Sequence, residues 1–189
     1  GGTDHHVVVN GDLTLNEGLT WAAPGKLYLR GGGERTLSTK GITFQSNDIR
    51  IDAEEGAWTL EGELHLPNGY FHVDRGGFDT AGHDMWIRRF LSSNSEERSV
   101  QLGDSVITLG QYWFMSQVEN LIFDAGVSTI IWNSSNTLSF EGGGQDFHIL
   151  DVTVANGAVR GLRGGEVVLR VVAVLLLELE ALVRALGVL

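Results

Sequence analysis

Four neighbouring stretches decide the fold: Asp48-Ile49-Arg50-Ile51-Asp52, Ala57-Trp58-Thr59-Leu60, Glu63-Leu64-His65-Leu66 and Tyr70-Phe71-His72-Val73. In each, apolar and polar residues alternate with period two, which places every second side chain on one face of a half-buried strand. The pattern continues outward. Upstream stand Asp12-Leu13-Thr14-Leu15, Lys26-Leu27-Tyr28-Leu29-Arg30 and Gly41-Ile42-Thr43-Phe44. Downstream stand Ser105-Val106-Ile107-Thr108-Leu109, Asn120-Leu121-Ile122-Phe123-Asp124 and Val127-Ser128-Thr129-Ile130-Ile131-Trp132. No stretch before Gly161 sustains a helical apolar stripe over three turns, so the body reads as all-β.

Burst length separates the candidate architectures. Immunoglobulin-like sandwiches carry strands of about five to eight residues with turn signals every 8–12. Here the bursts are mostly three to five residues and begin every six to nine. That spacing predicts a β-solenoid, each coil holding three short strands and three corners in about 20 residues. A β-sandwich is the alternative, since it gives a similar period-two signal. Glycine supports the corners: the 189 residues hold 26 glycines and two prolines, and glycine turns the chain without steric cost. Gly31-Gly32-Gly33, Gly76-Gly77 and Gly142-Gly143-Gly144 are expected at corners or close backbone approaches.

Residues 1–160 are expected to form the solenoid domain, and 161–189 a separate C-terminal segment of low diversity. From Gly161 onward only Gly, Leu, Arg, Glu, Val and Ala occur. Glu166, Arg170, Glu180 and Arg184 fall on one stripe of a helical wheel, so the segment reads as an amphipathic helix that caps the solenoid, or as a foreign tail. Its longest charge-free run, Val171–Leu177, is far short of the roughly 20 residues a bilayer requires. No membrane span is expected. The chain opens on glycine with no charged and apolar leader pattern.

Composition excludes several functions. A formal charge of −11 opposes tracking of nucleic-acid phosphates, which needs clustered Lys and Arg. The absence of cysteine removes disulfides, thiolate nucleophiles and Cys-ligated metals. Neither Gly-x-Ser-x-Gly nor a phosphate-binding Gly-x-x-x-x-Gly-Lys loop is present.

Several phrases resemble a repetitive Gly/Thr/Asn-rich family of phage virions and bacterial surface proteins. They include Gly77-Phe78-Asp79-Thr80-Ala81-Gly82-His83, Arg98-Ser99-Val100-Gln101-Leu102-Gly103 and Asp124-Ala125-Gly126-Val127-Ser128-Thr129-Ile130. The likeness covers about residues 10–155 and stops at Gly161. It implies successive coils of a right-handed parallel β-helix and an extracellular, cell-surface or virion setting. It implies no catalytic residue.

The chemistry-bearing side chains are scattered. His5, His6, His65, His72, His83 and His148 lack the His-Glu-x-x-His spacing of a zinc site, although His65 and His72 could meet on adjacent walls. No metal or other cofactor is expected. A cleft of Asp74, Asp79, Asp84 and Arg88 would suit a polysaccharide lyase or glycoside hydrolase of the β-helix type, the alternative function. Such an enzyme should show carboxylates stacked on adjacent coils with an Arg or Lys across a groove. A spacer should show walls of Thr, Ser and Asn.

Aromatics point to binding. Tyr112, Trp113 and Phe114 precede Met115, and four consecutive residues cannot all face inward on one strand. Exposed aromatics would offer a stacking platform for sugar rings, so Tyr112, Trp113 and Phe114 are the candidate ligand-binding residues. The expected function is a non-enzymatic structural or adhesive solenoid binding carbohydrate or a cell-surface protein, with end-to-end self-association open to it.

Overall fold

The computed structural model describes residues 6–19, 21, 25–45, 48–132, 138–152 and 157–160. The C-terminal segment 161–189 and His5 lie outside them. Among the described residues there is no helix, and so none long and apolar enough to cross a membrane.

Among the described residues fourteen strands follow one another: β1 His6–Val9, β2 Leu13–Thr14, β3 Lys26–Leu29, β4 Gly33–Ser38, β5 Asp48–Glu61, β6 Leu64–Asp79 and β7 Met85–Leu91. Then come β8 Arg98–Gln101, β9 Val106–Phe114, β10 Leu121–Asp124, β11 Thr129–Trp132, β12 Leu138–Glu141, β13 Ile149–Val152 and β14 Gly157–Arg160. Every ladder between them is parallel. Two facing antiparallel sheets are thereby excluded, and the chain is a β-solenoid of about six turns.

Three walls rise along it. The first holds β1, β3, the start of β5, the middle of β6, the ends of β7 and β9, and then β12 and β14. The second holds β2, β4, the ends of β5 and β6, β8 and β10. The third holds the starts of β6, β7 and β9, then β11 and β13. Along its inner column Leu64, Met85, Ile107, Ile130 and Leu150 are successive partners, so the coils measure 21, 22, 23 and 20 residues. Several bursts are longer than their alternation indicates. β5 and β6 run on around a corner, and register shifts at Ile51/Asp52 and Leu66/Tyr70 mark the bends.

The core fills the tube. On the first wall Leu27, Ile49, Phe71, Phe90, Trp113 and Phe140 stack inward, all essentially buried. Phe90 and Trp113 lie 3.9 Å apart at 12°. Inward rows from the other walls include Trp58, Phe78 and Val100, and Leu66, Ile87, Leu109 and Trp132. The corner from second to third wall repeats a device. Ile42, His83, Ser105 and Ser128 each donate a backbone N–H to the carbonyl three residues earlier, at 2.9–3.1 Å. Small hydroxyl residues line its inside: Thr39, Thr80, Ser105 and Ser128 are buried. Ser105 Oγ lies 2.6 Å from Thr80 Oγ1, which in turn donates to Leu102 O, so these buried polar groups are satisfied from coil to coil.

Candidate functional site

The solenoid presents three outward faces. On the first wall Tyr70, Arg89 and Tyr112 are direct partners on consecutive coils. The Arg89 guanidinium lies between the two phenol rings, 4.0 Å from the Tyr70 centroid and 4.6 Å from that of Tyr112. It also donates through Nε to Gln111 Oε1. Stacked cations of this kind contribute about 0.5–2 kcal/mol each. The three residues picked out from sequence therefore part company. Tyr112 and Phe114 point outward and are half-buried, whereas Trp113 is wholly in the core column, with no face open to a ligand. Alternation along β9 makes that division, and Met115 goes inward with Trp113, its Sδ 2.8 Å from the indole Nε1.

Beside this ladder His72 is 6% exposed although it points away from the core. Burial, and then the Arg50 charge, pushes its pKa down to about 4. Arg50 bonds Asp74 Oδ2 at 2.7 Å. His65 stands on the third wall instead, so the two histidines belong to different faces.

The second wall carries a groove of about 890 Å³ beside the corner it shares with the first. Glu34, Glu54, Glu55, Glu96, Glu97 and Arg75 border it, and Ala57, Gly77 and Ser99 form a floor of small side chains. The cations near it are already engaged. Arg75 bonds Asp52 and Glu54, both at 3.0 Å, and Asp52 reaches on to Arg30 at 2.8 Å. Arg98, 3% exposed, donates to the carbonyls of Glu96, Glu119, Ser92 and Gln117 and to Ser92 Oγ. It pins two corner loops. The cleft expected from Asp74, Asp79, Asp84 and Arg88 does not assemble. Asp74 sits at the first corner beside Arg50, while Asp79 accepts from Ala81 N at 2.7 Å and Asp84 from Val106 N at 2.8 Å, each on another wall. Closeness in sequence spreads residues around a coil; only a separation of one coil length stacks them.

The third wall carries the most exposed aromatic ring. Trp86 is 52% exposed, between His65 on one coil and Thr108 on the next. It edges a hollow of about 160 Å³ that Glu63 and Asp84 also line. Among the described residues no group of three or more His, Asp or Glu is placed to hold a metal ion. Sequence reading does not single out Trp86; the signal available is its outward parity in Met85-Trp86-Ile87, between two apolar neighbours.

No family model matches the chain, and no curated protein or solved structure matches it either.

Proposed function

We propose that the chain is a non-enzymatic structural or adhesive β-solenoid, a spacer of a virion appendage or cell-surface fibre whose outer walls bind carbohydrate or protein. The observation that carries this reading is how the charged side chains are used. Arg30, Asp52, Arg75 and Glu54 link three coils in one chain of ion pairs, and Arg50 and Asp74 join two more positions the same way. Groups spent on holding coils together are not poised for proton transfer, which requires a free acid or base within reach of the reacting bond. The resemblance of residues 10–155 to virion and surface repeat proteins supports the setting.

The groove on the second wall favours a second reading, a polysaccharide-active β-helix. Its Glu54 and Glu55 stand one coil before Arg75, and Glu96 and Glu97 one coil after it. The two readings part in one assay. The protein is incubated with neutral and uronate polysaccharides, and new reducing ends and unsaturated products are followed. No turnover is expected. Turnover that disappears in E97Q would make the chain an enzyme.

A further inference from the structure

Trp86 stands apart from every other tryptophan among the described residues. Trp58, Trp113 and Trp132 are wholly buried and Trp21 is half-buried, yet Trp86 turns half its surface to solvent. It is the one ring among the exposed large hydrophobics, the others being the aliphatic Val7, Val8, Leu19, Ile122 and Val127, and an aromatic face is the surface on which a sugar ring stacks. Its surroundings fit a ligand with both apolar and hydroxyl faces. Residues of one column stand about 4.8 Å apart, and Thr108, the next in the Trp86 column, is too short to cover an indole. On the other side the His65 ring meets Trp86 edge-on, with centroids 6.1 Å apart at 63°. His65 Nε2 is 3.1 Å from Glu63 Oε2; a carboxylate only accepts, so this contact keeps the proton on Nε2 and fixes the imidazole. Asp84 spends Oδ1 on the Val106 N–H at 2.8 Å and keeps Oδ2 as an acceptor at the rim.

We propose that Trp86, with Glu63, His65 and Asp84, is a binding site for a neutral hexopyranose ring of a glycan. The proposal rests on the adhesive reading above and deepens it. The sugar's C–H face lies on the indole, and its hydroxyls donate to the carboxylates of Asp84 and Glu63. The charge selects the ligand. Two carboxylates at the rim of a chain of net charge −11 repel uronates and sulfated glycans, while hydroxyl donors need no counter-charge. The hollow of about 160 Å³ admits one ring at a time, so affinity is expected to come from repeated weak contacts.

The test is binding of the full chain to immobilised gluco-, manno- and galacto-oligosaccharides and to polygalacturonate, followed together with tryptophan emission. One neutral glycan is expected to bind, to shift the emission to the blue and to protect it from acrylamide quenching. W86A should weaken that binding at least tenfold, about 1.4 kcal/mol, with its thermal midpoint unchanged; V127S, at an exposed corner two coils away, should leave binding intact. Neutral-glycan binding that survives W86A but falls in Y112A overturns the Trp86 site and leaves the adhesive reading standing. Binding to polygalacturonate alone, or to no glycan, also overturns it, while the turnover assay separately decides between spacer and enzyme.

Discussion

At the residue scale, two buried polar side chains carry the clearest consequences. His72 is held neutral because its ring is desolvated and faces the Arg50 charge, with Asp48 pulling the other way. In the unfolded chain the same imidazole takes a proton below about pH 6.5. Stability from this group is therefore full above pH 6.5 and is lost as pH falls towards 4, by up to about 3 kcal/mol. Thermal midpoints measured between pH 7.5 and 5 should fall in the wild type and fall less steeply in H72N; parallel curves would show that His72 is not the cause. Arg98 behaves differently, since its bonds go to backbone carbonyls and a serine hydroxyl. Arg98→Met would leave several carbonyls unpaired and should cost about 2–4 kcal/mol in urea unfolding. Neither role is visible in sequence: alternation makes His72 an outward polar position, and it sets Arg98, on the parity of the inward Val100, as a charge against the core. Burial of an outward side chain depends on neighbours one coil above and below, about 20 residues away.

At the scale of elements, the walls were legible and the corners only partly so. Alternation in Lys26–Leu29, Val106–Leu109 and Thr129–Trp132 places Leu27, Leu29, Ile107, Leu109, Ile130 and Trp132 inside, as the structure has them. The repeated corner turn escaped notice because its residue types differ from coil to coil while its hydrogen bond does not. Ala81 occupies one such turn at φ 49°, in the left-handed region that a Cβ disfavours. Ala81→Gly is expected to raise stability by about 0.5–1 kcal/mol, and a lowered thermal midpoint would contradict this account. Gly56 makes the opposite case. A Cβ there would run into the carbonyl oxygen of Gly31 on the preceding coil, so Gly56→Ala should destabilise by about 2–3 kcal/mol in the same assay.

At the scale of the whole molecule, stability builds from coil-to-coil interfaces. Strands inside the stack, such as β5, β6 and β7, have partners on both sides, whereas β1 pairs with β3 alone among the described residues. Val7, in the inward column of Leu27, Ile49 and Phe71, is accordingly 39% exposed, whereas those three are fully buried. Amide hydrogen exchange should be slowest in β5 to β9 and much faster in β1. Equal protection from β1 to β12 would mean that the solenoid opens as a single unit.

Side-chain parity along each short strand is a local property, because a pleated strand turns consecutive residues to opposite faces whatever surrounds it. From that property came the all-β character and most of the inward rows, and from the spacing of the bursts the coil of about 20 residues. Which outward residues meet is a property of register, and register is set by the length of each corner and by bulges such as the one between Leu66 and Tyr70. Stacking therefore enclosed Arg89 between Tyr70 and Tyr112 and left Trp86 open beside Thr108.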